Sequence, residues 1–124
     1  MYEDLLGCKY KEHGRTKEEG FDCYGLLIEI MRRNGIDFPD MFYLTKQEHG
    51  KVSDELFNKI HYKQYEKPQK MCIIVFNIRN RPIHVGVYLG DGYFIHSIEK
   101  VGVVVEPLSR WANRVKGYYN VSDS

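Results

Sequence analysis

The chain has 124 residues, 43% of them hydrophobic and 28% charged, with a formal charge of +1. That length supports one compact domain with a buried core, and a single domain over residues 1–124 is expected. Eighteen basic residues against seventeen acidic ones remove the electrostatic case for a nucleic acid, an anionic membrane surface or a polyanion as partner.

Residues 2–7 predict one helical turn carrying Leu5 and Leu6, and the polar, glycine-punctuated stretch from Lys9 to Gly20 reads as a surface loop. The first residues, Met-Tyr-Glu-Asp-Leu-Leu-Gly, carry no basic and then apolar leader. No apolar run approaches the roughly 20 residues that span a bilayer. The expectation is therefore a protein made in the cytoplasm without a signal peptide and with no membrane partner.

The best-signalled element follows. Asp22 is a good N-cap, Phe21 and Leu26 stand at the two positions of a hydrophobic staple, and Cys23, Leu26, Leu27, Ile30 and Met31 keep helical spacing. Arg32 and Arg33 suit the last turn, and Gly35 suits the residue just past it. Cys23 thus lies at a helix start, where unpaired N–H groups and the helix dipole favour a thiolate.

Residues 36–51 have no clean period and read as a connecting segment. A second helix is predicted from Ser53 to about Gln64, with Val52 and Phe57 as its staple. The second half changes character. Met71–Asn77, Ile83–Leu89, Tyr93–Ile98, Val101–Val105 and Lys116–Val121 are strand-like. Helices first and strands afterwards predict an α+β domain, N-terminal helices packed on an antiparallel sheet.

Alternation over Ile83–Leu89 puts His84, Gly86 and Tyr88 on the face away from the main apolar layer, and Phe94, His96 and Ile98 share a side of the next strand. A two-residue Asp91-Gly92 turn would send the two histidines to opposite faces. A three-residue Gly90-Asp91-Gly92 loop, the favoured reading, sets them on one face with His96 across from Gly86. The backbones are then about 7–8 Å apart, and the glycine leaves room for both rings.

Taken alone, Cys23 fits a buried structural thiol better than a nucleophile, and either histidine fits a structural role. Together the three residues have the composition of an acyl-transfer site: a nucleophile, a base able to take its proton, and a group that orients the base. The backbone N–H of Cys23 is a natural donor to the oxyanion. Cys8, Cys23 and Cys72 form an odd set without a close-spaced pair, so neither a disulfide framework nor a metal site is expected, and no cofactor is implied. Cys8 and Cys72 read as structural thiols, and Trp111 and Tyr118-Tyr119 as core or edge aromatics.

Gly20-Phe21-Asp22-Cys23-Tyr24-Gly25-Leu26-Leu27, then His84-Val85-Gly86-Val87-Tyr88-Leu89-Gly90-Asp91-Gly92, then Phe94-Ile95-His96-Ser97 resemble, in order and separation, an NlpC/P60 cysteine peptidase. The resemblance implies a compact papain-like fold, Cys23 as nucleophile, His84 as base, His96 as third catalytic residue and Tyr10 as the tyrosine that assists the oxyanion site. It also implies hydrolysis of the γ-D-glutamyl to diamino-acid amide bond of peptidoglycan stem peptides. Cell-wall members usually carry serine after the cysteine, where this chain has Tyr24. That aromatic, the run Val101–Leu108 and Arg110-Trp111 resemble phage-tail members, which implies tail proteins as partners and delivery to the wall by a phage or prophage particle. Lys11-Glu12-His13-Gly14 replaces the family's usual Trp-Gly-Gly after the tyrosine. A tail assembly component without turnover, or an acyltransferase on the same scaffold, are the rival expectations.

Overall fold

The computed structural model describes residues 2–38, 62–78 and 81–121. Among the described residues the α-helix, α1, runs from Cys23 to Arg33, and the strands are β1 (Arg15–Thr16), β2 (Gly20–Phe21), β3 (Tyr62–Tyr65), β4 (Ile73–Ile78), β5 (Arg81–Gly90), β6 (Tyr93–Ile98), β7 (Gly102–Pro107) and β8 (Val115–Val121). β1 and β2 form a small hairpin. The other six make one antiparallel sheet in the order β3-β8-β4-β5-β6-β7. Helix packed on antiparallel sheet is the α+β class expected from the sequence.

α1 begins and ends as its sequence dictates. Asp22 accepts from the Gly25 N–H at 2.6 Å. At the other end Gly35 takes φ 79°, and the N–H groups of Gly35 and Ile36 return to the Arg32 and Met31 carbonyls, which closes the last turn. Leu26, Leu27, Ile30 and Met31 are buried against the sheet. At roughly 1.5–3 kcal/mol for each buried side chain against about 1 for the cap, packing rather than capping holds the helix.

The sheet has two covered faces. Ile73, Val75, Val85, Val87, Ile95 and Val103 share one core with Leu26, Leu27, Ile30 and Met31 of α1. On the opposite face Cys72, Ile74, Phe76, Phe94 and Leu108 form a second core, with Trp111 and Tyr118 packed on it. The strand periodicity anticipated the first of these faces. It left His84 and His96 on what reads as an outer surface, whereas both are buried beside the second core.

Three expectations are corrected. Tyr62–Gln64 are strand rather than the end of a second helix, because they pair with β8; the rest of that predicted helix, from Ser53, and most of the connecting segment lie outside the described residues. The Lys9–Gly20 stretch is not simply a surface loop, since it folds back as the β1–β2 hairpin with Gly14 and Gly20 buried. The β5–β6 connection is a two-residue turn rather than a three-residue loop. Asp91 and Gly92 take φ 55° and 89°, Gly90 pairs with Tyr93, and Leu89 bulges out of the ladder. Past the bulge Tyr88 faces Phe94 and Val87 faces Ile95, the register expected of the longer loop. One extra residue in the strand does the work assigned to one extra residue in the turn.

Candidate active site

The start of α1 is built by the hairpin before it. Tyr10 bridges to Phe21, and buried Ser97 on β6 donates from Oγ to the Phe21 carbonyl at 2.7 Å, tying the residue two before Cys23 to the sheet. Asp22 gathers three donors: Gly25 N–H at 2.6 Å, Arg15 Nη1 at 3.0 Å and His13 N–H at 3.0 Å. The Arg15 guanidinium also lies over the Tyr24 ring, 5.6 Å from its centroid.

Cys23 is half-buried. Burial first, and then the Asp22 carboxylate, push its thiol up to about 12, while the N–H groups of Val85 and Tyr24 work in the opposite direction. The helix-start donors that the sequence promised are therefore present but outweighed. The residue that caps the helix is itself an anion beside the sulfur, and apolar packing adds to its effect. Tyr10 is also held above its ordinary value, by burial first and then by Cys23, once ionised at high pH, and by Asp22, so its hydroxyl stays protonated in the neighbourhood of the thiol.

The Val85 amide that touches the thiol belongs to the residue after His84. His84 Nε2 and His96 Nδ1 are 2.7 Å apart. A Cβ at Gly86 would stand 3.0 Å from the Phe94 ring and from the Ile95 carbonyl and 3.4 Å from His96 Cβ, so the glycine provides the space in which the rings meet. With Nε2 engaged, the nitrogen of His84 left for chemistry is Nδ1. Phe76 packs on both imidazoles, and Trp111 stacks on His84 at 5.8 Å and meets His96 edge-on at 5.0 Å.

Burial among these rings pushes both imidazoles down to about 3, with His96 adding to the shift at His84. Both shifts favour the neutral forms, thiol and imidazole, whereas the helix start by itself favours a thiolate. Stability follows the same shift. An imidazole kept neutral in the fold binds its proton only well below the ordinary 6.5 of the unfolded chain, so protons favour unfolding between those two values. Stability contributed by the pair is complete above about 6.5 and falls as the pH drops toward 3, by up to about 1.4 kcal/mol per pH unit for His84 and by less for His96, whose protonated form the Glu106 carboxylate favours. Urea unfolding at pH 7.5 and pH 5.0 should show the midpoint falling. A midpoint unchanged between them would contradict the burial of the pair.

Glu106 and Trp111 were missed as parts of this site. Glu106 Oε2 lies 2.5 Å from His96 Nε2 and accepts from Trp111 Nε1 at 3.2 Å. Ending the predicted strand at Val105 hid it. Continued through Pro107, the strand pairs Glu106 with Phe94, which places it diagonal to His96 on the same face. Among the described residues, no group of three or more His, Cys, Asp or Glu side chains is placed to hold a metal ion.

A helix that opens on a cysteine, packed on an antiparallel sheet bearing an imidazole hydrogen-bonded to a second polar group, is the arrangement of papain-like α+β proteins. The chain belongs to the NlpC/P60 family, whose model matches residues 7–119. It is 30% identical over 110 residues to a gamma-DL-glutamyl hydrolase of Bacillus subtilis, covering 83% of this chain and 23% of that one. It is 27% identical over 117 residues to the murein DD-endopeptidase/murein LD-carboxypeptidase MepS of Escherichia coli, covering 92% and 56%. The fold matches an NLP/P60 family protein of Staphylococcus aureus with a TM-score of 0.69 at 22% identity, over 98% of this chain and 40% of that one. The chain thus spans less than two thirds of the length of each of these relatives.

Proposed function

We propose that the chain is a cysteine peptidase that hydrolyses the γ-D-glutamyl to diamino-acid amide bond of peptidoglycan stem peptides. The observation that carries this reading is the Cys23 thiol at the Val85 amide, beside an imidazole already bonded at Nε2 to His96. The relatives named as a gamma-DL-glutamyl hydrolase and a murein endopeptidase support the substrate class.

In this mechanism His84 Nδ1 takes the thiol proton as Cys23 Sγ attacks the amide carbonyl carbon. The tetrahedral oxyanion is met by the Cys23 N–H, which as the first of α1 has no helical acceptor, and by the Tyr10 hydroxyl. His84 returns the proton to the leaving amine as the C–N bond breaks, which leaves an acyl-enzyme. Water, deprotonated by the same nitrogen, then releases the carboxylate and restores the thiol.

Tyr24 after the nucleophile and the Val101–Leu108 and Arg110-Trp111 stretches favour a phage-tail or prophage setting, in which tail proteins are the partners and the enzyme acts at the bacterial wall. Purified peptidoglycan digested with the protein and analysed by mass spectrometry should yield products ending in free γ-D-glutamate and in free diamino-acid amines. Protein pre-treated with iodoacetamide should yield none. Undiminished cleavage after alkylation would overturn the mechanism, and products from another bond would overturn the specificity.

A further inference from the structure

We propose that Glu106 is a positioning residue that fixes the proton on both histidines and so leaves His84 Nδ1 as the basic atom of the site. The inference rests on the peptidase reading for its kinetic consequence, but the arrangement of protons it asserts does not.

The order of protons is set from the surface inward along three hydrogen-bonded groups. An indole N–H only donates, so the Glu106 oxygen facing Trp111 must accept. That same atom, Oε2, lies 2.5 Å from His96 Nε2. An ionised carboxylate has only acceptors to offer, so His96 Nε2 carries the hydrogen. His96, neutral in its buried setting, then has a bare lone pair at Nδ1. The 2.7 Å contact to His84 Nε2 requires one donor and one acceptor, so His84 Nε2 carries the hydrogen as well. Nδ1 of His84 is left unprotonated, one residue before the Val85 amide that acts on the Cys23 thiol. Without Glu106 nothing selects this order: the hydrogen between the rings could come from either histidine, and in the reversed order His84 would carry its proton on Nδ1 and could not accept one.

The carboxylate has a second effect. When His84 takes the thiol proton, the positive charge appears in a cage where Phe76 and Trp111 pack on His84 and Phe94 packs on the bonded His96. Among the charged groups around this cage, Glu106 is the anion bonded to the histidine pair. Arg110 lies farther out, with Nη1 4.0 Å from Glu106 Oε1, and Arg114 lies over the Trp111 ring, while Cys23 and Asp22 stand on the α1 side. Trp111 donates to the same Glu106 oxygen that meets His96 and so helps hold the carboxylate there.

The test is a long-range proton–nitrogen spectrum of the protein labelled with nitrogen-15 in histidine, at pH 7. His84 and His96 should both appear as neutral imidazoles protonated on Nε2. Finding His84 protonated on Nδ1 would overturn the proposal with no variant needed. Glu106→Gln keeps the accepting oxygen, because Trp111 still demands an acceptor there, so its spectrum should retain both tautomers. Glu106→Ala should show His84 divided between tautomers. Kinetically, Glu106→Ala should lower kcat about 100-fold with KM within about twofold, and Glu106→Gln should recover most of that loss. Wild-type kcat and an unchanged spectrum in Glu106→Ala would sink the idea. If the wild-type protein shows the expected tautomers, lost in Glu106→Ala, yet cleaves no stem peptide, the positioning role stands and the substrate reading fails.

Discussion

Cys23→Ala protein should cleave stem peptides no faster than a blank, a loss of at least about 10⁴-fold in kcat, while binding them with a KM or Kd within about threefold of the parent. The size follows from the chemistry. Without sulfur there is no acyl-enzyme, and the remaining groups can only orient a water for direct attack. The fold is not at stake. Cys23 is half-buried at the first position of α1, and alanine there keeps the N–H and the helix while removing one atom whose neutral form the protein already favours. The partner variant is His84→Gln. The amide nitrogen of glutamine occupies the place of Nε2 and can still donate to His96 Nδ1, but nothing replaces the basic Nδ1. Its kcat should fall about 10³-fold with little change in unfolding midpoint, the loss expected for a general base. His84→Gln protein with parental kcat would assign the proton transfer elsewhere, and active Cys23→Ala protein would end the cysteine mechanism altogether. Stopped assays on defined stem peptides, with Kd from calorimetry, measure both.

How far the sequence carried this reading depended on whether the decisive physics was local. α1 was legible in full, because its cap, staple and terminal glycine are contacts within a few residues. The face shared by His84 and His96 was legible as well, since alternation and register fix it whether the odd residue sits in the turn or, as at Leu89, in a bulge. What escaped was set by distant pairing. Tyr62–Gln64 read as helix because their β8 partners lie more than fifty residues on, and Glu106 was invisible until β7 was laid beside β6. The thiol's protonation escaped for a third reason. Helix position argues for a thiolate, but the outcome depends on packing and on the charge of Asp22, two terms that only the assembled fold weighs against each other.

Gly25→Ala should destabilise the protein by about 3 kcal/mol, the upper range for overpacking, although glycine to alanine inside a helix ordinarily stabilises by about 1. The sign is reversed by a close approach. A Cβ at residue 25 would stand 2.1 Å from the Gly14 carbonyl oxygen and 2.9 Å from Arg15 Nη1. Neither obstacle can yield cheaply. Gly14 is itself pinned, since its own Cβ position falls 2.2 Å from the Gly20 carbonyl oxygen and its N–H bonds to Lys11 at 2.8 Å. Arg15 Nη1 bonds both the Gly14 carbonyl and Asp22, so moving the hairpin off the helix breaks the ion pair and disturbs the cap together. Urea unfolding should therefore show a lower midpoint, and the surviving folded fraction should have impaired kcat, because the same displacement shifts Tyr10 and Asp22 around the thiol. A Gly25→Ala protein more stable than the parent would mean that the hairpin is not held against α1. Glycine two residues after the cysteine is thus required by the loop that crosses the helix start, and the orientation of Cys23 depends on that crossing as much as on the helix itself.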